Sequence, residues 1–133
     1  MANEATKLYD ESSGDGSVVQ DYAVADGASI SKGAILKLTD ERTAAQSDGA
    51  GDVIAGIAKR EKVANDGRTR LGVYKKGYFD VVASGAITLG MPVQSAGHDN
   101  YVQAATTLSG AVVMGYSEAT AGDGEKITLR LDL

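Results

Sequence analysis

The carboxy-terminal stretch Lys126-Ile-Thr-Leu-Arg-Leu-Asp-Leu133 carries the clearest fold signal in this chain. Ile127, Leu129, Leu131 and Leu133 alternate with Lys126, Thr128, Arg130 and Asp132. That period of two turns one face toward a core and the other toward water, as a half-buried strand requires. A second alternation precedes it, with Thr69, Leu71 and Val73 set between Arg68, Arg70 and Gly72, which places the arginines outward. Shorter β-rich or apolar runs fill the rest: Val18–Val24, Ala34–Leu38, Val53–Ala58, Tyr78–Val82, Tyr101–Val102 and Ala111–Met114. Asp-Gly dipeptides at 15–16, 26–27, 48–49, 66–67 and 123–124 lie between the runs, and Asp-Gly supplies the positive φ that tight turns need. Helical periodicity is scarce. Asp40–Gln46 is long enough for two helical turns and Ala104–Leu108 for one. The fold class expected is all-β, a compact β-barrel or β-tulip-like domain with little helix and an extended amino-terminal arm.

Composition agrees. At 133 residues the chain is about one domain long and buries enough surface for one core. Its 17 glycines, one proline, one phenylalanine and absence of tryptophan leave Ala, Val, Ile and Leu as the core material, which favours many short strands. With no cysteine there are no disulfides, thiolate nucleophiles or Cys-ligated metals. Thirteen basic and 18 acidic residues give a net charge of −5, so no general attraction draws the chain to nucleic acid or an anionic membrane. No run approaches the roughly 18 apolar residues of a membrane span. The start, Met1-Ala-Asn-Glu-Ala-Thr-Lys7, lacks the apolar core of a signal peptide, and synthesis in a cytoplasm is expected.

Residues 1–17 form a polar arm ahead of a single β domain over 18–133. The arm contains Asp10-Glu-Ser-Ser-Gly-Asp-Gly16, too poor in apolar groups to repay its own ordering. It reads either as a frayed terminus or as a segment that orders on a partner.

The two halves of the domain echo each other, over about 28–73 and 86–131. Ile30-Ser-Lys-Gly-Ala-Ile35 matches Ile87-Thr-Leu-Gly-Met-Pro-Val93 at a shift of 57. Gly51-Asp-Val-Ile-Ala-Gly-Ile-Ala58 matches Gly110-Ala-Val-Val-Met-Gly-Tyr-Ser117 at 59, and Ala64-Asn-Asp-Gly67 matches Ala121-Gly-Asp-Gly124 at 57. Two units are too few for a solenoid, so two similar β-motifs around one core are expected.

Catalytic and cofactor signatures are missing. Gly51–Gly56 lacks the dinucleotide spacing, and no phosphate-binding loop occurs. His98 is the single histidine, in the turn-like Ala96-Gly-His-Asp-Asn100, and no nucleophile elbow accompanies it. One histidine without cysteine cannot hold zinc. Asp48, Asp52, Asp66 and Asp123 are the carboxylates that folding could gather, yet each already serves as a turn residue beside glycine, with calcium binding by such loops the minor alternative. No catalytic residue, metal or cofactor is therefore assigned. One asymmetry stands out: Lys59, Arg60, Lys62, Arg68, Arg70, Lys75 and Lys76 crowd into 59–76, opposed by Glu61 and Asp66. The run reads as a solvated hairpin face that guards strand edges, or as a patch that docks on an acidic protein surface; contact with nucleic acid is the lesser alternative, since no exposed aromatics are interleaved with the cations.

The order Ile30-Ser-Lys-Gly33, Gly56-Ile-Ala58, Thr69-Arg-Leu-Gly-Val-Tyr74 and Gly77-Tyr-Phe-Asp-Val81 resembles the head decoration (cement) proteins of tailed bacteriophages. The second half, from Gly85-Ala-Ile-Thr-Leu-Gly90 through Gly110 to Leu131, is similar to the capsid-cement family, and the resemblance spans roughly residues 20–133. It implies a non-enzymatic virion protein that forms trimers on the outer capsid surface, binds the major capsid protein and stabilises the shell. It also implies an arm that orders against the coat, for which Leu8, Tyr9, Val18, Val19 and Tyr22 are the candidate apolar anchors. The alternative is a small β ligand-binding module, for example carbohydrate-binding, which needs a concave site with exposed aromatics. Tyr9, Tyr22, Tyr74, Tyr78, Tyr101 and Tyr116 are the rings available to it.

Overall fold

The computed structural model describes residues 3–9, 19–106 and 112–133. Among them the chain is all-β. Its strands are β1 (Thr6–Tyr9), β2 (Val19–Ala23), β3 (Ile35–Asp40), β4 (Thr43–Gln46), β5 (Ile54–Ala58) and β6 (Arg70–Tyr74), followed by β7 (Lys76–Ala83), β8 (Pro92–Ser95), β9 (Tyr101–Ala104), β10 (Gly115–Ser117) and β11 (Lys126–Asp132).

The strands form two closed five-strand units with one plan. In the first, β2 runs antiparallel to β6 and parallel to β4, β3 pairs with β4 and β5, and β5 with β6. In the second, β7 runs antiparallel to β11 and parallel to β9, β8 pairs with β9 and β10, and β10 with β11. Isolated bridges repeat as well, Ile30 with Lys62 and Ile87 with Ala121. These ladders set Leu36 in register with Val93, Gly56 with Gly115 and Val73 with Leu129. Gly56 and Gly115 share a reason to lack a side chain. A Cβ on either would strike the carbonyl of the facing strand, at Tyr74 and at Arg130.

One core joins the units. Ile35, Ile54, Ile57 and Tyr74 of the first pack with Phe79, Val81, Val93, Ile127, Leu129 and Leu131 of the second. The Tyr74 and Phe79 ring centroids lie 5.5 Å apart with the planes tilted by 55°, within the separation at which aromatic pairs attract. A smaller cluster fills the first barrel, with Tyr22, Val24, Leu36, Leu71 and Val73. Polar contacts also cross the junction: the Ser47 and Ser95 hydroxyls are 2.7 Å apart, and Gly51 N–H donates to Ser95 O at 3.1 Å.

Several local expectations are corrected. Asp40–Gln46 is the β3–β4 hairpin and no helix. Arg42 adopts φ 50°, and the Asp40 carboxylate accepts the Glu41 N–H at 2.7 Å, a side-chain turn that competes with helix formation. Ala104 ends β9, and residues 107–111 lie outside the described part of the chain. The strand expected over 111–114 begins at Gly115, one turn later. Of the Asp-Gly pairs, Gly67 and Gly124 take positive φ (82° and 81°), whereas Gly27 and Gly49 do not, and 15–16 lies outside the described residues.

The amino-terminal segment touches both units. β1 pairs antiparallel with β7, Thr6 facing Asp80 and Lys7 facing Phe79. Just before it, Ala5 N–H donates to Gly33 O at 2.8 Å. The stretch expected to be an arm therefore contains a paired strand.

Candidate functional site

The sequence offered two surfaces, the arm anchors and the basic run, and the structure redistributes both. Leu8 and Tyr9 belong to β1. Val18 lies outside the described residues. Val19 and Tyr22 sit in β2 and are committed to the fold, so they are not arm anchors. Val19 pairs with Tyr74 and packs on the core, and the buried Tyr22 ring belongs to the first barrel. An aromatic with an apolar body and one hydroxyl suits such a site when the hydroxyl finds a partner. Here that partner is the Lys75 ammonium, which donates to the Tyr22 hydroxyl at 2.7 Å.

Three of the seven basic residues leave the docking patch. Lys62 is 1% exposed. Its ammonium donates to Asp26 O at 2.6 Å, Val63 O at 3.2 Å and Asp66 Oδ1 at 3.0 Å, so its charge closes two turns on each other. Lys75 is half-buried, and besides Tyr22 it donates to Ala55 O at 2.8 Å. Lys76 faces Asp132 across the β7–β11 ladder, with Nζ 3.1 Å from Oδ1. A lone buried cation would be costly, and each of these three is held by partners the alternation of the strands could not reveal.

The other four gather around one groove. Lys59, Arg60, Arg68 and Arg70 line it together with Val19, Asp21, Leu71 and Gly72, and its volume is about 310 Å³. β6 carries Arg70 outward while Leu71 and Val73 point to the core, and the turn after β5 supplies Lys59 and Arg60. The Lys59 stem lies over Gly72, where a Cβ would meet Lys59 Cδ at an ordinary contact distance of 3.7 Å. Arg68 Nε is 4.0 Å from Asp66 Oδ2. Lys59, Arg60 and Arg70 make no ion pair with a described residue. The groove is thus a partly open, positively charged recess, suited to carboxylates and not to acid–base work.

A second recess of about 380 Å³ lies under the amino-terminal segment. Ile57, Ala58, Tyr74 and Phe79 form its floor, and Glu4, Thr6 and Lys32 its rim. Among the described tyrosines, Tyr22 and Tyr74 are buried, and Tyr116, 39% exposed, lies under Arg130 at 5.2 Å. Of the carboxylates singled out from sequence, Asp48 and Asp52 share the β4–β5 loop, while Asp66 and Asp123 lie on two other loops. Asp48 holds Lys37 at 2.6 Å, and this hydrogen bond keeps its carboxyl below the usual range and raises the lysine. Asp52 accepts Ser47 Oγ and the Asp48 and Gly49 N–H groups. Asp123 accepts the Gly85 N–H at 2.8 Å. Among the described residues no group of three or more His, Cys, Asp or Glu could hold a metal ion. His98 is exposed beside Asp99, at 3.2 Å.

No protein-family model matches this chain, and no curated protein sequence does. A solved structure does: the crystal structure of the N base of head fiber gp8.5 from bacteriophage phi29. The two chains are 18% identical with a TM-score of 0.51, over 86% of this chain and 93% of that one. Likeness at that identity is a likeness of fold.

Proposed function

We propose that this chain is a non-enzymatic virion structural protein that attaches to the outer surface of a phage head and stabilises the shell. The observation that carries the reading is the likeness of fold to the phi29 head-fiber base, which extends over most of both chains. Two features support it. The described residues form two closed β units, a framework suited to a structural part. Among the described residues β1 pairs with β7 alone, an edge strand of the kind a coat-protein strand could join, and main-chain pairing of that kind needs little sequence complementarity. In this reading Leu8 and Tyr9 lie on the attaching segment, and the major capsid protein is the partner.

Quantitative mass spectrometry of virions purified from the source provides the test. A fixed, simple ratio of this chain to the coat protein is expected, and heads that lack the chain should release DNA at lower temperature. Absence of the chain from the particle would overturn the reading.

A further inference from the structure

The two units carry opposite charge at one pair of corresponding positions, Lys59 and Glu118, and differ in net charge around it, although Arg70 and Lys126 correspond and are both basic. Lys59 follows β5 and its N–H donates to Gly72 O at 2.9 Å; Glu118 follows β10 and its N–H donates to Thr128 O at 2.8 Å. The bridges at Ile30–Lys62 and Ile87–Ala121 align the intervening residues, so Arg60 corresponds to Ala119 and Lys62 to Ala121. Thr69 and Glu125 correspond in turn, since their carbonyls accept the N–H groups of Val24 and Ala83. Between 59 and 70 the first unit has five basic and two acidic residues; between 118 and 126 the second has three acidic and one basic. A common plan with opposite charge at one corner calls for a reason.

Among the described residues neither corner is neutralised. Lys59, Arg60 and Arg70 make no ion pair with a described residue, and neither do Glu118, Asp123 and Glu125. The three acids are exposed, and two are fixed in place: Asp123 holds the Gly85 N–H at 2.8 Å and Glu125 the Gly122 N–H at 2.6 Å. The basic corner is concave, the groove of about 310 Å³ described above.

We propose that the basic groove of one copy docks on the acidic corner of a second copy of this chain. Charge complementarity between corners that each chain carries once supplies equal numbers of both partners. Nucleic acid fits the groove less well, because the chain is acidic as a whole and no aromatic ring lines the recess. The contact joins two different patches, so it builds a closed ring or pairs two copies reciprocally. It concerns the free chain, and stands or falls apart from attachment to a capsid.

The full chain is measured by gel filtration with light scattering and by sedimentation, at about 50 mM and about 500 mM NaCl, where screening lengths differ by more than threefold. Self-association is expected at low salt and should weaken at high salt. Arg60→Glu with Arg70→Glu should raise the dissociation constant about tenfold or more, and so should Glu118→Lys. Circular dichroism and melting, unchanged in each variant, exclude misfolding. Mixing the Arg60→Glu/Arg70→Glu chain with the Glu118→Lys chain should restore association between the two populations, because the intact groove of the second meets the intact acidic corner of the first, and Arg60→Glu combined with Glu118→Lys in one chain should also recover association. A monomer at low salt and high concentration would overturn the proposal, as would an oligomer indifferent to the reversals.

Discussion

Asn100 and Ile35 meet across the junction of the two units, the Asn100 Oδ1 accepting the Ile35 N–H at 2.8 Å. The same carboxamide donates from Nδ2 to Gly33 O at 3.1 Å and to Asn3 O at 3.0 Å. One side chain thus satisfies three backbone groups, one from the start of β3, one from the turn before it and one from the amino-terminal segment. Asn100 is 6% exposed and has φ 58°, a left-handed conformation that asparagine tolerates better than most residues. Asn100→Ala removes all three bonds and leaves the buried Ile35 N–H without its partner, while Gly33 O keeps the Ala5 N–H, at a cost of about 2–4 kcal/mol. Urea denaturation should show that loss, and amide exchange at Ala5 should quicken. Asn100→Asp keeps the acceptor but sets a carboxylate against two carbonyls, so it should not rescue.

Gly33 and Gly90 occupy the same place in the two units, with φ 87° and 83°. Their surroundings differ. A Cβ on Gly33 would strike the backbone of Ala5, whereas one on Gly90 meets nothing within 4 Å. Gly90→Ala should therefore cost only the left-handed strain, about 1–2 kcal/mol. Gly33→Ala carries that strain and must also displace the amino-terminal segment. A lower urea midpoint for Gly33→Ala, with faster proteolysis near residue 5, is the expected outcome; equal midpoints would contradict the contact with Ala5.

Much of this fold was legible. Alternation at Leu71 and Val73 and at Ile127, Leu129 and Leu131 marked strands that do turn those side chains inward, because a half-buried strand imprints its period directly. The shifts of 57 and 59 noticed in sequence are the shifts that relate Gly33 to Gly90 and Gly56 to Gly115 in the ladders. What escaped were features set by remote partners. Thr43-Ala-Ala-Gln46 has helix-forming residues, yet pairing with β3 decides its state. Lys62 looked like one cation among seven, and only the approach of Asp26, 36 positions away, makes it a buried clamp. Tyr22 looked available for the same reason, since Lys75 lies 53 positions from it. The four-cation groove appears once Lys62, Lys75 and Lys76 are subtracted, and sequence spacing carries no signal for that subtraction.

Lys62 invites a direct test, because its counterpart in the second unit is Ala121. There the bridge to Ile87 forms without an ammonium. In the first unit the ammonium ties the 26–27 turn to the 63–68 loop, and its removal leaves Asp26 O, Val63 O and Asp66 without their donor. Lys62→Met preserves the stem and should cost about 2–3 kcal/mol, below the full price of breaking a buried pair because Asp66 is partly exposed and can rehydrate. Lys62→Met together with Asp66→Asn should cost less than the two changes added. Thermal denaturation of the four proteins gives that coupling, and strict additivity would remove the clamp from the account of stability.

Asp66 also sets a pH dependence whose sign is fixed by its contacts. Its carboxyl lies below the ordinary 3.8, held there first by the Arg68 N–H, against the opposing effect of partial burial, and further by Lys62 and the Val63 N–H. A carboxylate with a depressed folded pKa binds its proton more weakly in the native state than in the unfolded one. Its contribution is therefore complete above the unfolded value of about 3.8 and is lost as pH falls through the lower folded value. Asp48 shifts in the same direction through Lys37, so both act in one acidic window. Urea midpoints taken at neutral pH and at steps below pH 4 should fall with acid in the wild type and fall less steeply in Asp66→Asn, which has no proton to gain at that position. If the two curves stay parallel through that range, the Asp66 carboxylate is not what ties the loop, and the hydrogen bonds from Arg68 and Lys62 contribute equally in its protonated form.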